Sequence, residues 1–126
     1  MNSIESFLTR IHENGIEKYD LAVLRQQLSL AAGYASYASE MVTKYQELVD
    51  KASIPIIKDM VDSGEYKKYN IDDREKIIGY KIGDNFYKLS AWERRLKSLD
   101  NLCIRMSTIS KSILDEWERS NRPTPT

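Results

Sequence analysis

A length of 126 residues is that of a single domain, and we expect one helical domain over residues 1–120. A charged fraction of 30% beside a hydrophobic fraction of 41% is typical of a folded chain rather than a disordered one. The 19 basic and 19 acidic residues give a formal net charge of zero. This balance excludes a polybasic protein whose whole surface binds nucleic acid, but it is compatible with a local basic stripe.

The single cysteine, Cys103, excludes an internal disulfide framework and a metal site built from several cysteines. The first residues lack the basic region and apolar run of a secretory signal. No window approaches the roughly 20 apolar residues that a membrane span requires. We therefore predict a cytoplasmic protein that has no contact with a membrane.

A short amphipathic helix is predicted over residues 3–14. Ile4, Phe7, Leu8 and Ile11 recur at the spacing of one helix face, and Gly15 follows as a stop signal.

A long helix is predicted over residues 20–54, with Asp20 as its N-cap. Its apolar residues follow one another at alternating steps of three and four, which is the heptad pattern of a helix that packs along its whole length on another. This first seam consists of Leu21, Leu24, Leu28, Ala31, Ala35, Ala38, Val42, Tyr45, Val49, Ala52 and Ile56. Pro55 removes a helical hydrogen bond, and we expect it to kink or break the helix there.

A second apolar stripe lies beside the first seam and consists of Leu30, Tyr34, Tyr37, Met41 and Leu48. One partner helix cannot cover both stripes, and large apolar patches are rare on monomers. These five residues are therefore the predicted oligomer interface of a self-associating homo-oligomer.

The last helix is predicted over residues 73–120, after a connection that includes Gly64 and Asn70. Its seam, which runs from Ile78 to Trp117, again alternates steps of four and three. Gly79 and Gly83 each weaken the first turns by about 1 kcal/mol relative to alanine. Residues 121–126 contain two prolines and are predicted to be a disordered tail. The predicted fold is all-α: a long antiparallel helical hairpin with a short N-terminal helix.

The sequence contains no recognisable set of catalytic residues. His12 is the only histidine and has no histidine or cysteine neighbour, so a zinc site of those ligands is excluded, although carboxylates alone could hold a hard cation. Gly79 and Gly83 do not have the spacing of a phosphate-binding loop. We predict a protein that is not an enzyme and that has no cofactor and no metal site.

The remaining signal is a basic and aromatic pattern around the hairpin connection. Arg74, Lys81, Lys88 and Arg95 recur every seven residues. Phosphates attract a row of cations, and unstacked bases pack on aromatic faces, so the mixture suits single-stranded nucleic acid. The predicted nucleic-acid-binding residues are Tyr66, Lys67, Lys68, Tyr69, Arg74, Tyr80, Lys81, Tyr87 and Lys88. The alternative is a solvated helix face whose tyrosines pack at a subunit interface.

Three features of the sequence resemble those of a phage protein family. The most specific is a pattern in the last helix formed by Leu99, Asp100, Leu102, Arg105 and Ile109. The other two are Lys58 ahead of the Ser63–Gly64 turn and the pair Glu75–Lys76 at the start of the last helix. This family is that of the recombination mediator proteins of T-even-type bacteriophages, the UvsY type. The similarity covers about residues 20 to 113. Pro55 is a departure from the family, and Ile56 stands where the family carries a second basic residue.

The resemblance implies helical hairpins assembled into a ring that binds single-stranded DNA, the single-strand-binding protein and the recombinase. It also implies that Lys58 contacts DNA. Our first hypothesis is a non-enzymatic phage or mobile-element accessory protein, in the host cytoplasm, that oligomerises, binds single-stranded DNA and organises recombination or replication proteins. The second is a protein-interaction module, either an adaptor or an inhibitor of a host complex, that binds no nucleic acid.

Overall fold

The computed structural model describes residues 3–121, which form four α-helices and no strand. The helices are α1 (Ser3–Asn14), α2 (Leu21–Asp62), α3 (Ile71–Ile82) and α4 (Asp84–Asn121). A short 3₁₀ turn, Glu65–Lys68, lies in the connection between α2 and α3. The two long helices, α2 and α4, pack on each other, which confirms the predicted all-α helical hairpin.

The chain divides into two compact units, and each long helix contributes a part to both. The first unit comprises residues 1–36 and 95–126, of which residues 3–36 and 95–121 are described. The second unit comprises residues 37–94.

Asp20 caps α2 as predicted, because its Oδ1 atom accepts hydrogen bonds from the backbone N–H groups of Ala22 (3.0 Å) and Val23 (3.2 Å). The predicted end of this helix at residue 54 is wrong, since α2 continues through Pro55 to Asp62. An internal proline costs about 3 kcal/mol. Met60, which is fully buried in the second unit, offsets a large part of this cost, since burying such a side chain contributes about 1.5 to 3 kcal/mol.

The prediction of one last helix over residues 73–120 is also wrong, because α3 and α4 are separate helices divided at Gly83. Gly83 has φ 83° and ψ −126°, a conformation that side chains with a Cβ atom strongly disfavour. Asn70 caps α3 by accepting a hydrogen bond from the backbone N–H of Asp73 (2.8 Å). In the predicted tail, Asn121 is helical and belongs to α4, while residues 122–126 lie outside the described residues.

In the first unit, α1 packs against parts of α2 and α4. Phe7 is buried, and the centroid of its ring lies 5.3 Å from that of Tyr34. The Arg95 guanidinium donates hydrogen bonds to Glu5 Oε1 from Nε (3.2 Å) and Nη2 (2.5 Å), which joins α4 to α1. The buried apolar residues of this unit are Ile4, Phe7, Ile16, Leu24, Ala31, Leu99, Leu102 and Met106.

In the second unit, the core is formed by Ala38, Val49, Met60, Leu89 and Trp92. Tyr37 packs its ring edge-on against Trp92, with centroids 5.6 Å apart. Every residue of the first seam on α2 is buried or half-buried. The heptad spacing therefore identified the core-facing side of this helix correctly.

Candidate nucleic-acid interface

The connection from α2 to α3 presents two lysines to solvent. Ser63 stabilises the end of α2 by donating a hydrogen bond from its hydroxyl to the Met60 carbonyl (3.1 Å). The 3₁₀ turn follows directly, and Lys67 and Lys68 on this turn are both exposed. The backbone that carries Lys67 and Lys68 therefore begins next to a stabilised helix end.

Arg74 holds the turn from the side of α3. Its Nε atom donates a hydrogen bond to the Tyr66 carbonyl (2.6 Å), and its guanidinium carbon lies 4.2 Å from the centre of the Tyr66 ring. A planar guanidinium suits both contacts at once. One face of the Tyr66 ring is thus covered by Arg74, and both side chains were predicted to contact nucleic acid.

Two further predicted cations have acidic partners. Lys81 Nζ lies 3.1 Å from Glu65 Oε2, which ties α3 to the 3₁₀ turn. Lys88 Nζ lies 2.9 Å from Asp84 Oδ2, one turn earlier on α4. The hydrogen bond to Asp84, and then the negative charge of that carboxylate, raise the pKa of Lys88 above its ordinary value. Neither ammonium group is an isolated positive charge.

Lys58, Lys67 and Lys68 differ from these cations. All three are exposed, and none forms an ion pair with any residue in the described part of the chain. These three cations are therefore available to an anionic ligand without the loss of an existing salt bridge.

The tyrosines of the predicted interface have different surroundings. Tyr80 is 77% exposed and Tyr87 is 56% exposed, so both rings are accessible. Tyr69, like Tyr66, is half-buried. Among the four tyrosines, Tyr80 and Tyr87 are the better candidates for stacking on a base.

Charge is balanced over the second unit as a whole, where ten Lys and Arg residues accompany eleven Asp and Glu residues. A uniformly positive surface is therefore absent from this unit. Any attraction of phosphate must come from the local placement of exposed cations without an ion pair, such as Lys58, Lys67 and Lys68.

The predicted oligomer-interface residues fall into both units. In the first unit, Leu30 is exposed, while Tyr34 is half-buried against Phe7. In the second unit, Leu48 is exposed, Met41 is half-buried, and Tyr37 is about half exposed while its ring contacts Trp92. Of these five residues, Leu30 and Leu48 are exposed and make no aromatic contact within the chain, so they are the best placed to contact a partner.

Sequence reasoning missed three features of these surfaces. The Lys81–Glu65 pair joins residues 16 positions apart, and no local pattern signals it. An open cavity of about 480 Å³ in the first unit lies where α1 meets α4, with Leu8, Ile11 and Leu102 beside His12 and Arg105. Ile54 and Val61 are exposed on α2. The sequence could have indicated the exposure of Ile54 and Val61, because neither residue belongs to the first seam.

Within residues 3–121, no group of three or more His, Cys, Asp and Glu side chains is arranged to hold a metal ion. None of the helices in this range combines the length and apolar character needed to cross a membrane.

Comparison of the chain with protein-family models, with curated proteins and with solved structures found no match.

Proposed function

We propose that this chain is a non-enzymatic accessory protein that self-associates and binds single-stranded DNA through the connection between α2 and α3. The observation that carries the proposal is that Lys58, Lys67 and Lys68, at and beside this connection, are exposed and form no ion pair with a described residue. Cations that hold no carboxylate neutralise phosphates at the lowest cost, because no protein salt bridge is broken first.

Arg74 and Lys81 position the interface in this proposal. Their contacts with Tyr66 and Glu65 order the 3₁₀ turn before the ligand arrives, so less conformational entropy is lost on binding. Tyr80 and Tyr87 supply exposed rings for bases, and a single strand offers unstacked bases where a duplex does not.

The resemblance to recombination mediator proteins of T-even-type phages also supports the proposal. It extends the role to organising recombination or replication proteins of a phage or mobile element in the host cytoplasm. Lys58, which the resemblance marks as a DNA contact, is exposed and forms no ion pair with a described residue.

Fluorescence anisotropy with a labelled single strand, measured at several salt concentrations, tests the DNA proposal. Each lost phosphate contact should lower the log–log salt slope by about 0.7. The K67A/K68A variant should therefore bind more weakly, with a slope lower by roughly 1.4 per chain. K97A/K111A is the matched control, because it removes two exposed lysines from the first unit and changes the net charge equally. Equal effects of the two variants, or no binding by the wild type at low salt, would refute the proposal.

Self-association is supported by exposed apolar side chains such as Leu30 in the first unit and Leu48 in the second. Light scattering at micromolar concentration should give a mass above the 14.6 kDa of one chain. L30S and L48S should each reduce that mass while leaving the helical circular dichroism signal unchanged, because neither side chain is buried. A single 14.6 kDa species at every concentration would contradict self-association.

The second candidate is a protein-interaction module, an adaptor or an inhibitor of a host complex. The specific observation that favours it is the exposure of Ile104 and Trp117 on α4 in the first unit, well away in sequence from the predicted DNA contacts. This candidate predicts no measurable affinity for single strands at low salt. The anisotropy experiment therefore separates the two candidates.

A further inference from the structure

Four exposed residues form a line along the outer side of α2 in the second unit. Lys51, Ile54, Lys58 and Val61 follow one another at steps of three, four and three, which places them on one helix face. Ile54 is 69% exposed and Val61 is 53% exposed. Cations and aliphatic side chains thus alternate along a single stripe, which we call the outer line.

The core does not account for the outer line. Residues of the first seam, such as Val49 and Ile56, lie on the opposite side of α2 and are buried or half-buried. An outward helix face normally carries polar residues, since exposed aliphatic groups gain nothing from folding. Ile54 and Val61 are therefore free to contact a partner.

The charges on the outer line favour an anionic partner. Lys51 and Lys58 form no ion pair within the described part of the chain. The acidic residues nearest to this face are Glu47 at one end, Asp62 at the other and Asp50 at its edge, where Asp50 accepts a hydrogen bond from Gln46 (2.8 Å). The acidic groups bound the line but do not interrupt it between Lys51 and Val61.

The outer line also leads along the chain into the candidate interface. Val61 is the last but one residue of α2, and the 3₁₀ turn with Lys67 and Lys68 begins four residues later. Lys51 and Lys58 are separated by seven residues, or about 10 Å along the helix axis. Two cations at this separation suit an extended anionic polymer better than a compact anion, since one small anion cannot contact both.

We propose that the outer line extends the contact for single-stranded DNA from Lys58 along α2, with Lys51 binding a further phosphate and Ile54 and Val61 packing against base faces. The inference rests on the proposed DNA-binding function and extends its site along α2. A single strand is the partner that presents charge and apolar base faces in alternation, whereas a duplex hides its base faces inside the stack. Ile54 and Val61 therefore make the outer line selective for single strands.

Paired anisotropy titrations with a single-stranded oligonucleotide and with its duplex test the apolar contacts. I54A/V61A should weaken single-strand binding roughly fivefold to tenfold, leave the salt slope unchanged and leave duplex affinity unchanged. Alanine favours the helix, so the variant keeps its fold, which circular dichroism verifies. I71A/I104A is the control, because it truncates two aliphatic residues that lie off α2 and are at least as exposed on average, at 70% and 64%.

The charged part of the outer line is tested by K51A. Its salt slope on single strands should fall by about 0.7. K76A is the control, since Lys76 is an exposed lysine on α3 and not on the outer line. An effect of K51A no greater than that of K76A would remove Lys51 from the site and overturn the proposal.

The outcomes separate this inference from the proposed function. If K67A/K68A weakens DNA binding but I54A/V61A behaves like its control, the inference is overturned and the proposed function stands. If the wild type binds no DNA, both the inference and the proposed function are refuted. Equal weakening of single-strand and duplex binding by I54A/V61A would overturn the base contacts. A change in mass by light scattering, without any change in DNA affinity, would show instead that a second copy of the chain covers Ile54 and Val61.

Discussion

The ring of Phe86 occupies the space in which a side chain at position 79 would begin, because a Cβ atom built on Gly79 would lie 2.5 Å from the ring. Gly79 is on α3 and Phe86 is on α4, so this contact packs the two helices against each other on either side of Gly83. A glycine that looked like a weak point of one long helix is the position that lets two helices meet.

G79A should destabilise the protein by about 1 to 3 kcal/mol, because the whole ring must move to accommodate the methyl group. G33A is the control, because no atom lies within 4 Å of a Cβ built at this position inside α2. Alanine favours the helix over glycine, so G33A should raise the free energy of unfolding by roughly 1 kcal/mol. Denaturant unfolding measures both changes. In an F86L background the penalty of G79A should shrink, and a penalty of unchanged size would mean that the ring is not its cause.

The close approach of helices at Ala31 gives a second stability prediction. Ala31 is fully buried in the first unit, whereas the neighbouring Ala32 is exposed. A31L should cost about 1 to 3 kcal/mol through overpacking. A32L should change stability by less than about 0.5 kcal/mol. Thermal unfolding of the two variants compares them directly, and equal melting temperatures would contradict the assignment of Ala31 to the core.

Arg74 and Tyr66 give a prediction that separates geometry from charge. R74K keeps the positive charge but loses the planar guanidinium, which donates from Nε to the Tyr66 carbonyl and lies over the Tyr66 ring. The free energy that holds the connection in its folded conformation should therefore fall by about 1 kcal/mol. We expect faster proteolysis within residues 63–70. R94K is the control, since Arg94 is exposed on α4. Identical cleavage rates in R74K and the wild type would show that Arg74 does not order the turn.

Cys103 should react slowly with alkylating reagents. Burial, and secondarily the negative charge of Asp100, raise the pKa of its thiol, so less of the reactive thiolate is present near pH 8 than for a free cysteine. Iodoacetamide labelling should accelerate when the protein is unfolded in denaturant, and D100N should accelerate it modestly in the folded protein. Equal labelling rates in the folded and unfolded protein would contradict the raised pKa.

The same shift predicts how stability depends on pH. The folded state disfavours the thiolate, so the stability associated with this group is fully present below the ordinary thiol pKa. It is lost as the pH rises from that value to the raised one. C103A should remove this part of the alkaline pH dependence. Unfolding curves collected on both sides of the ordinary thiol pKa measure the effect.

The sequence by itself determined the helical class of this protein and the inward side of α2. The alternating steps of three and four from Leu21 to Ile56 identify a continuous face, and every residue on that face is buried or half-buried. Heptad spacing is a local property, since residues three and four apart lie on one side of any helix. The exposed lysines of the connection, Lys67 and Lys68, were recognisable for the same reason, because a turn rich in polar residues lies on the surface.

Only the tertiary structure decided where the helices end and which cations are available. Heptad spacing continues from Ile78 through Ile82 and Asn85 as though one helix ran on, yet the helix divides at Gly83, where Phe86 packs on Gly79. Likewise, Arg74, Lys81 and Lys88 look alike in sequence, but each has its own contact, with Tyr66, Glu65 and Asp84 respectively. The physical reason is that a helix end or an ion pair depends on groups brought close by folding. The energy of such contacts, about 1 to 3 kcal/mol each, is comparable with the local preferences that a sequence displays.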